Sequence, residues 1–126
     1  MYNTLKRYRY LNDPLLLYNS AVERVNIRDF KGALADLDYA IELNPKYAEA
    51  YYLRGLIWGK ELKKYKKAIK NFNKAISINS NFAEAYYDRG VTYRILDYLN
   101  KACEDWHQAF KLGYKTALSM LNKYCM

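Results

Sequence analysis

The chain has 126 residues, of which 52% are apolar and 15 are tyrosines, so it suits one domain and is not composed like a disordered segment. Its formal net charge of +8 makes acidic partners worth testing but does not bear on the fold. The opening residues lack the apolar core of a signal peptide, and the longest apolar run, Leu15–Tyr18, is too short to cross a membrane. These features predict a cytoplasmic protein without a membrane partner.

Residues 1–13, MYNTLKRYRYLND, form a basic N-terminal extension for which two structures stay open. Leu5, Tyr8 and Leu11 recur at three-residue steps, as in a short helix packed on the domain that follows. A mobile basic arm fits the same residues equally well. Asp13 followed by Pro14 predicts the cap and the first residue of the next helix.

One phrase occurs twice, as AEAYYLRGLIW from Ala48 and as AEAYYDRGVTY from Ala83, 35 residues later. A weaker copy with Ala21 in place of the glycine precedes them, so three repeats are expected at residues 14–47, 48–82 and 83–116. Small and large apolar residues continue in step through the copies: Ala33, Ala68 and Ala102; Leu37, Phe72 and Trp106; Ala40, Ala75 and Ala109. Their spacing of three to four residues predicts two helices in each copy, with small residues facing large rings.

The middle copy is one residue longer than its neighbours. Gly55 lies 13 residues before Ala68, whereas the matching pairs in the first and third copies are 12 residues apart. The extra residue is therefore expected in GKELKKYKK, interpreted as the turn between the two helices of this copy.

The copies resemble the tetratricopeptide repeat, whose pattern of aromatic, Leu-Gly and Tyr is followed by Ala, an aromatic, Ala and Pro. The segments Tyr51–Trp58 and Tyr86–Tyr93 carry the first half of that pattern, and Ala33 to Pro45 carries the second half in the first copy. Arg24 departs from the pattern, because it replaces an aromatic residue. The resemblance implies an all-α, right-handed solenoid of three helix-turn-helix repeats that binds peptides or proteins and rarely catalyses reactions.

The resemblance also implies that the first helix of each repeat lines a concave groove. The residues expected in this groove are Tyr18, Val22, Asn26, Tyr52, Leu53, Leu56, Lys60, Tyr87, Asp88, Val91 and Ile95. Such tyrosine and aliphatic side chains can hold a peptide, but the rings can equally pack against one another and the N-terminal extension. The family's clamp of Lys, Asn and Arg for acidic chaperone tails is not expected, because the matching residues are Tyr18, Val22, Leu53, Glu84 and Asp88.

Six lysines predict a second surface, a basic outer patch: Lys63, Lys64, Lys66, Lys67, Lys70 and Lys74. Lys66, Lys70 and Lys74 are spaced by four and form a stripe on one helix face. The patch is either a solvated face or a site for an acidic protein or a nucleic acid. Nucleic acid is the less favoured partner, because Tyr65 and Phe72 are assigned to packing rather than to base stacking.

Gly113 is interpreted as the break before a C-terminal capping helix, residues 117–126, whose apolar residues fall on one side. This helix is expected to bring Cys125 near Cys103, and two buried thiols are favoured over a disulfide or a redox switch. His107 is expected on the surface, and the sequence contains no recognisable catalytic motif, so no enzyme activity, cofactor or metal is predicted.

The sequence therefore predicts a non-catalytic adaptor that binds a peptide segment or another protein in its groove. Two alternatives remain open. One is binding of nucleic acid or of an acidic partner through the basic outer patch, and the other is a structural module that self-associates into a homo-oligomer through an imperfectly capped end.

Overall fold

The structure, a computed structural model, describes residues 12–125, so the two interpretations of Leu5, Tyr8 and Leu11 lie outside the described residues. Within residues 12–125 the chain forms seven α-helices and no strand. The helices are α1 (Pro14–Asn26), α2 (Phe30–Leu43), α3 (Ala48–Leu56), α4 (Tyr65–Ile78), α5 (Ala83–Ile95), α6 (Leu99–Lys111) and α7 (Ala117–Tyr124), and a π-helical turn, Ile57–Glu61, continues α3. None of the helices in this part of the chain has the length and apolar character required to span a bilayer.

Consecutive helices pack as three hairpins, with α1 on α2, α3 on α4 and α5 on α6. Neighbouring hairpins meet through α2 with α3 and through α4 with α5, and α7 covers α6 at the end of the array. The predicted solenoid of helix-turn-helix repeats with a C-terminal helix is therefore confirmed. Its start is also as predicted, because Oδ1 of Asp13 accepts a hydrogen bond of 2.9 Å from the backbone N–H of Leu15.

The glycines of the repeated phrase lie beneath the largest rings of the core. A Cβ atom on Gly55 would lie 2.7 Å from Cε1 of Phe72, and one on Gly90 would lie 2.7 Å from Nε1 of Trp106. Phe72 and Trp106 are 1% and 0% exposed, so neither ring has room to move aside. The predicted packing of small residues against large rings is therefore confirmed at both hairpins.

The extra residue of the middle repeat lies in a helix rather than in the turn. The turns of the second and third hairpins contain Lys63 and Asp97, with φ values of 59° and 66°, and each residue precedes the next core alanine by five positions. Asp97 follows Gly90 by seven residues, whereas Lys63 follows its matching glycine, Gly55, by eight. The insertion is therefore absorbed before Lys63, where the helix widens into the π-helical turn.

Two arginines of the repeated phrase join the outer helices. Arg89 donates from Nε and Nη2 to the two carboxylate oxygens of Asp105 at 2.8 and 2.7 Å, and from Nη1 to the preceding outer helix at 2.9 Å. Arg54 makes the matching bonds, at 2.6 Å to Asn71 and at 2.9 Å to the preceding outer helix. Asp105 is 5% exposed, so this polar connection, which sequence reasoning missed, belongs to the core.

Cys103 and Cys125 form a disulfide, so the expectation of two buried thiols is wrong. The reason is the position of α7 along α6, where the ring of Tyr124 packs on Trp106 with centroids 5.8 Å apart. This contact places the residue after Tyr124 opposite Cys103, with the two cysteine Cα atoms 5.8 Å apart. The disulfide therefore fastens the covering helix to the last hairpin.

Candidate functional site

Three half-buried tyrosines, Tyr18, Tyr52 and Tyr87, occupy matching positions on the first helices of the hairpins. Each ring packs against an aromatic residue from the connection after its hairpin: Tyr18 on Tyr47 at 5.5 Å, Tyr52 on Phe82 at 4.8 Å, and Tyr87 on Tyr114 at 5.1 Å between centroids. The rings therefore pack on aromatic residues of the connections and not on one another, as the alternative from the sequence had it. This packing holds the rings rigid while part of each stays accessible, which favours binding at low entropic cost.

Tyr52 and Asp88 join the middle and last hairpins through a hydrogen bond. The phenol of Tyr52 donates to Oδ2 of Asp88 at 2.5 Å. Burial and the neighbouring Asp88 carboxylate raise the pKa of Tyr52 far above its ordinary value, so the phenol remains a donor at any physiological pH. Burial also raises the pKa of Asp88, against the opposing effects of Tyr52 and Lys60.

A cavity of about 300 Å³ opens between α3 with its π-helical turn and α5. Five of the predicted groove residues line it, namely Leu56, Lys60, Asp88, Val91 and Ile95. Sequence reasoning missed the rest of its wall, which comes from the π-helical turn, the connection after it, α4 and α5: Gly59, Lys63, Tyr65 and Phe72, and Thr92. The inserted residue of the middle repeat was the available signal, because it produces the wider turn beside the cavity.

The other predicted groove residues do not line this cavity. Val22 and Asn26 lie on α1, half-buried and exposed respectively, next to the tyrosine of that helix. Leu53 packs against the buried core of the first hairpin, so little of its side chain is available to a ligand. The structure therefore brings five of the predicted groove residues together at the cavity between α3 and α5 and leaves Val22, Asn26 and Leu53 outside it.

Acidic and basic side chains lie at opposite ends of the helices that carry the groove. Glu49 and Glu84 are exposed in the first turns of α3 and α5, whereas Lys60 is exposed in the π-helical turn that ends the first of these helices. Both carboxylates lie near groove tyrosines, since Glu49 contributes to raising the pKa of Tyr18 and Glu84 contributes to raising that of Tyr52. The helices that carry the predicted groove residues are therefore acidic at one end and basic at the other.

All six lysines of the basic outer patch are exposed. Lys63, Lys64, Lys66 and Lys67 surround a shallow depression that also contacts Tyr65 and Leu96. Lys63 and Tyr65 line this lysine depression and the cavity alike, so the two surfaces are continuous. Half-buried Tyr65 therefore contributes to the surface as well as to packing, which corrects its assignment to packing alone, whereas Phe72 is buried as expected.

Solved structures with the same fold were found by comparison. Two crystal structures of MamA have TM-scores of 0.77 and 0.75 and identities of 29% and 28%, and the matches cover 85% and 92% of this chain. This chain spans 62% and 60% of those two MamA chains. The first TPR of Spaghetti (RPAP3), solved bound to HSP90 peptide SRMEEVD, has a TM-score of 0.84 over 89% of this chain and 90% of its own, and at 21% identity it shows the fold alone.

A family model described as the TPR repeat matches residues 59–94, from the π-helical turn through α4 to the end of α5. The chain therefore contains a tetratricopeptide repeat (TPR). None of the curated proteins matches the sequence. The matched repeat lies within a solenoid fold that this TPR protein shares with the MamA and RPAP3 structures.

The residues at the positions of the family's chaperone-tail clamp make other contacts in this TPR protein. Leu53 packs on the first hairpin, and the carboxylate of Asp88 accepts a hydrogen bond from Tyr52. Glu84 adds a second negative charge close to Asp88. The site therefore presents carboxylates where such a clamp needs cationic or amide groups.

Proposed function

We propose that this TPR protein is a non-catalytic adaptor that binds a peptide segment of a partner protein in its groove. The observation that carries the proposal is the cavity of about 300 Å³ lined by Leu56, Val91 and Ile95 from adjacent first helices. Rigid tyrosine rings that remain partly accessible flank it along the same helices. A concave apolar site bordered by rigid aromatic residues is suited to an anchoring side chain of a peptide.

The fold supports the same proposal. The RPAP3 structure, which carries a bound HSP90 peptide, shares this solenoid over 89% of the present chain. The charges differ, because Glu84 and Asp88 make the clamp positions acidic in this protein. We therefore propose that the peptide partner is held by contacts other than those of such a clamp.

The proposal is tested by selecting peptides from a random library on the wild-type protein and measuring their affinity for three arginine variants. Val22→Arg alters the groove on α1, and Ile95→Arg alters the cavity on α5, where the side chain is 48% exposed. Phe110→Arg is the matched control, because Phe110 lies on the outer helix α6 and is 41% exposed. We expect at least one groove variant to lose about tenfold or more in affinity, while the control keeps wild-type affinity.

The opposite pattern, with Phe110→Arg harmful and both groove variants neutral, would move the site to the outer helices. Alanine at Tyr52 is a less suitable probe of the groove, because that ring also packs on Phe72 and Phe82 and bonds to Asp88. Its loss would destabilise the solenoid as well as the groove.

We also propose the cytoplasmic location predicted from the sequence, and one feature of the structure argues against it. A disulfide such as Cys103–Cys125 is typical of oxidising compartments and uncommon in the cytosol. Alkylation of thiols in freshly lysed cells of the source, followed by mass measurement of the chain, tests both statements. Two alkylated cysteines would support the cytoplasmic location, whereas a chain that is alkylated only after reduction would retain the disulfide and count against that location.

A further inference from the structure

The cavity and the lysine depression together carry a strong excess of positive charge. Lys60 and Lys63 line the cavity, and Lys64, Lys66 and Lys67 extend the positive surface around the depression. No lysine of residues 12–125 forms a salt bridge, so none of these five charges has a carboxylate of the described chain within salt-bridge distance. The one carboxylate in either wall, Asp88, is hydrogen-bonded to Tyr52.

The inside of the cavity is apolar, in contrast to its surroundings. Leu56, Val91 and Ile95 form its sides, and the ring of Phe72 lies at its base, 1% exposed. Its volume of about 300 Å³ lies at the lower limit for ligand pockets and suits one bulky side chain rather than a cofactor. An apolar group that entered it would gain free energy from the area removed from water.

The π-helical turn creates this combination in the middle hairpin. The inserted residue widens the helix between Ile57 and Glu61, and Gly59 packs so closely on α4 that a Cβ atom there would lie 2.9 Å from Cβ of Ala68. This close approach directs the turn along α4, with Lys60 beside the cavity and Lys63 between the cavity and the lysine depression. Turns of this kind occur frequently at functional sites.

We propose that the cavity and the lysine depression form one site for an acidic peptide segment that carries a single bulky apolar side chain. The apolar side chain enters the cavity, and the neighbouring carboxylates of the peptide lie against Lys60, Lys63 and the lysines of the depression. The inference rests on the proposed function and specifies the class of peptide. A nucleic acid fits the site less well, because Phe72 is buried and cannot stack on a base, which leaves half-buried Tyr65 as the nearest ring.

Three fluorescein-labelled probes test the inference by fluorescence anisotropy on the full chain. The first is a synthetic ten-residue peptide of glutamate and aspartate with one central phenylalanine, and the second has alanine in place of that phenylalanine. The third is a ten-nucleotide oligothymidylate. We expect the phenylalanine peptide to bind about tenfold or more tightly than the alanine peptide, and more tightly than the oligonucleotide.

Two double variants test the role of the lysines. The variant Lys60→Ala with Lys63→Ala should weaken binding of the phenylalanine peptide about tenfold and reduce the dependence of its affinity on salt. The matched control is Lys31→Ala with Lys111→Ala, which removes the same charge from exposed positions on the outer helices α2 and α6. This control should retain at least about half of the wild-type affinity.

Equal affinity for the phenylalanine and alanine peptides would overturn the inference, since the cavity would then be unused. Tighter binding of oligothymidylate, with displacement of the peptide, would overturn it in favour of a nucleic acid. Equal effects of the two lysine variants would show non-specific attraction by net charge and would also overturn it. If library-selected peptides lose affinity with Val22→Arg but not with Lys60→Ala and Lys63→Ala, the proposed function stands and this inference fails.

Discussion

Replacing Arg89 by leucine should destabilise the protein more than the same change at Arg54. Both arginines lie at the same place in the repeat and connect the same kinds of helix. The buried partner of Arg89 is a carboxylate, Asp105, with 5% exposure, whereas the buried partner of Arg54 is the neutral amide of Asn71, with 8% exposure. Arg54 also pairs with the carboxylate of Asp38, but that side chain is 64% exposed and remains solvated when the arginine is lost. The pair of substitutions therefore separates the loss of a buried charge partner from the loss of the arginine itself.

The magnitude follows from these surroundings. Removing one partner of a buried ion pair costs roughly 3–5 kcal/mol. The carboxyl that is left behind can limit this loss by binding a proton, which costs about 4 kcal/mol near pH 7 for a carboxyl of ordinary pKa. Since burial raises the pKa of Asp105, protonating this carboxyl costs less than it would at an ordinary pKa. We therefore expect Arg89→Leu to lower the free energy of unfolding by about 3 kcal/mol. For Arg54→Leu we expect about 1–2 kcal/mol, because Asn71 keeps its hydrogen bond of 2.8 Å to the backbone of Lys67.

Urea unfolding at pH 7, followed by tryptophan fluorescence, provides the measurement. A third variant, Arg89→Leu with Asp105→Leu, should recover most of the loss, because no carboxylate is then left buried without a partner. Equal losses for Arg89→Leu and Arg54→Leu would refute the reasoning. So would a double variant that is no more stable than Arg89→Leu alone.

Three further predictions concern the core, the groove and the last helix. Gly55→Ala should lower the free energy of unfolding by about 1–3 kcal/mol by crowding Phe72, and an unchanged urea midpoint would contradict this packing. Because burial raises the pKa of Asp88, the folded state binds its proton more readily than the unfolded state, so stability is gained as pH falls through the folded pKa. Asp88→Asn should therefore be more stable than the wild type at pH 7 and lose that advantage towards pH 4, whereas a constant difference would be inconsistent with a raised pKa. Cys103→Ser should cost about 3 kcal/mol through loss of the link to Cys125 across 22 residues, and reductant should weaken the wild type but not the variant.

The fold could be predicted from the sequence because its spacing rules are local. Gly55 and Gly90 recur beneath Phe72 and Trp106, and a close helix pair requires a small residue opposite a large ring. The repeated phrase therefore specified both the hairpins and the way they pack. The tyrosines of the groove followed from the same register, since they lie at matching positions on the first helices.

The parts that escaped prediction depend on contacts between segments distant in sequence. The cavity needs α3, α4 and α5 together, and its lysine wall comes from a helix insertion that the sequence placed in a turn. The bond between Arg89 and Asp105 had a visible signal, because arginine replaces the leucine of the family pattern in two copies. The disulfide had none, because the direction of α7 over α6 decides which residue faces Cys103.

The central claim is that the partner contacts the groove, and site-specific photo-cross-linking in cells of the source tests it most directly. A benzophenone amino acid is placed at Val22 or Val91 in the groove, and at Tyr39 or Phe110 on the outer helices, where the native side chains are 44% and 41% exposed. The account predicts covalent adducts with a partner protein from Val22 and Val91, with none from the two outer positions. Adducts from Tyr39 or Phe110 without any from the groove would contradict it.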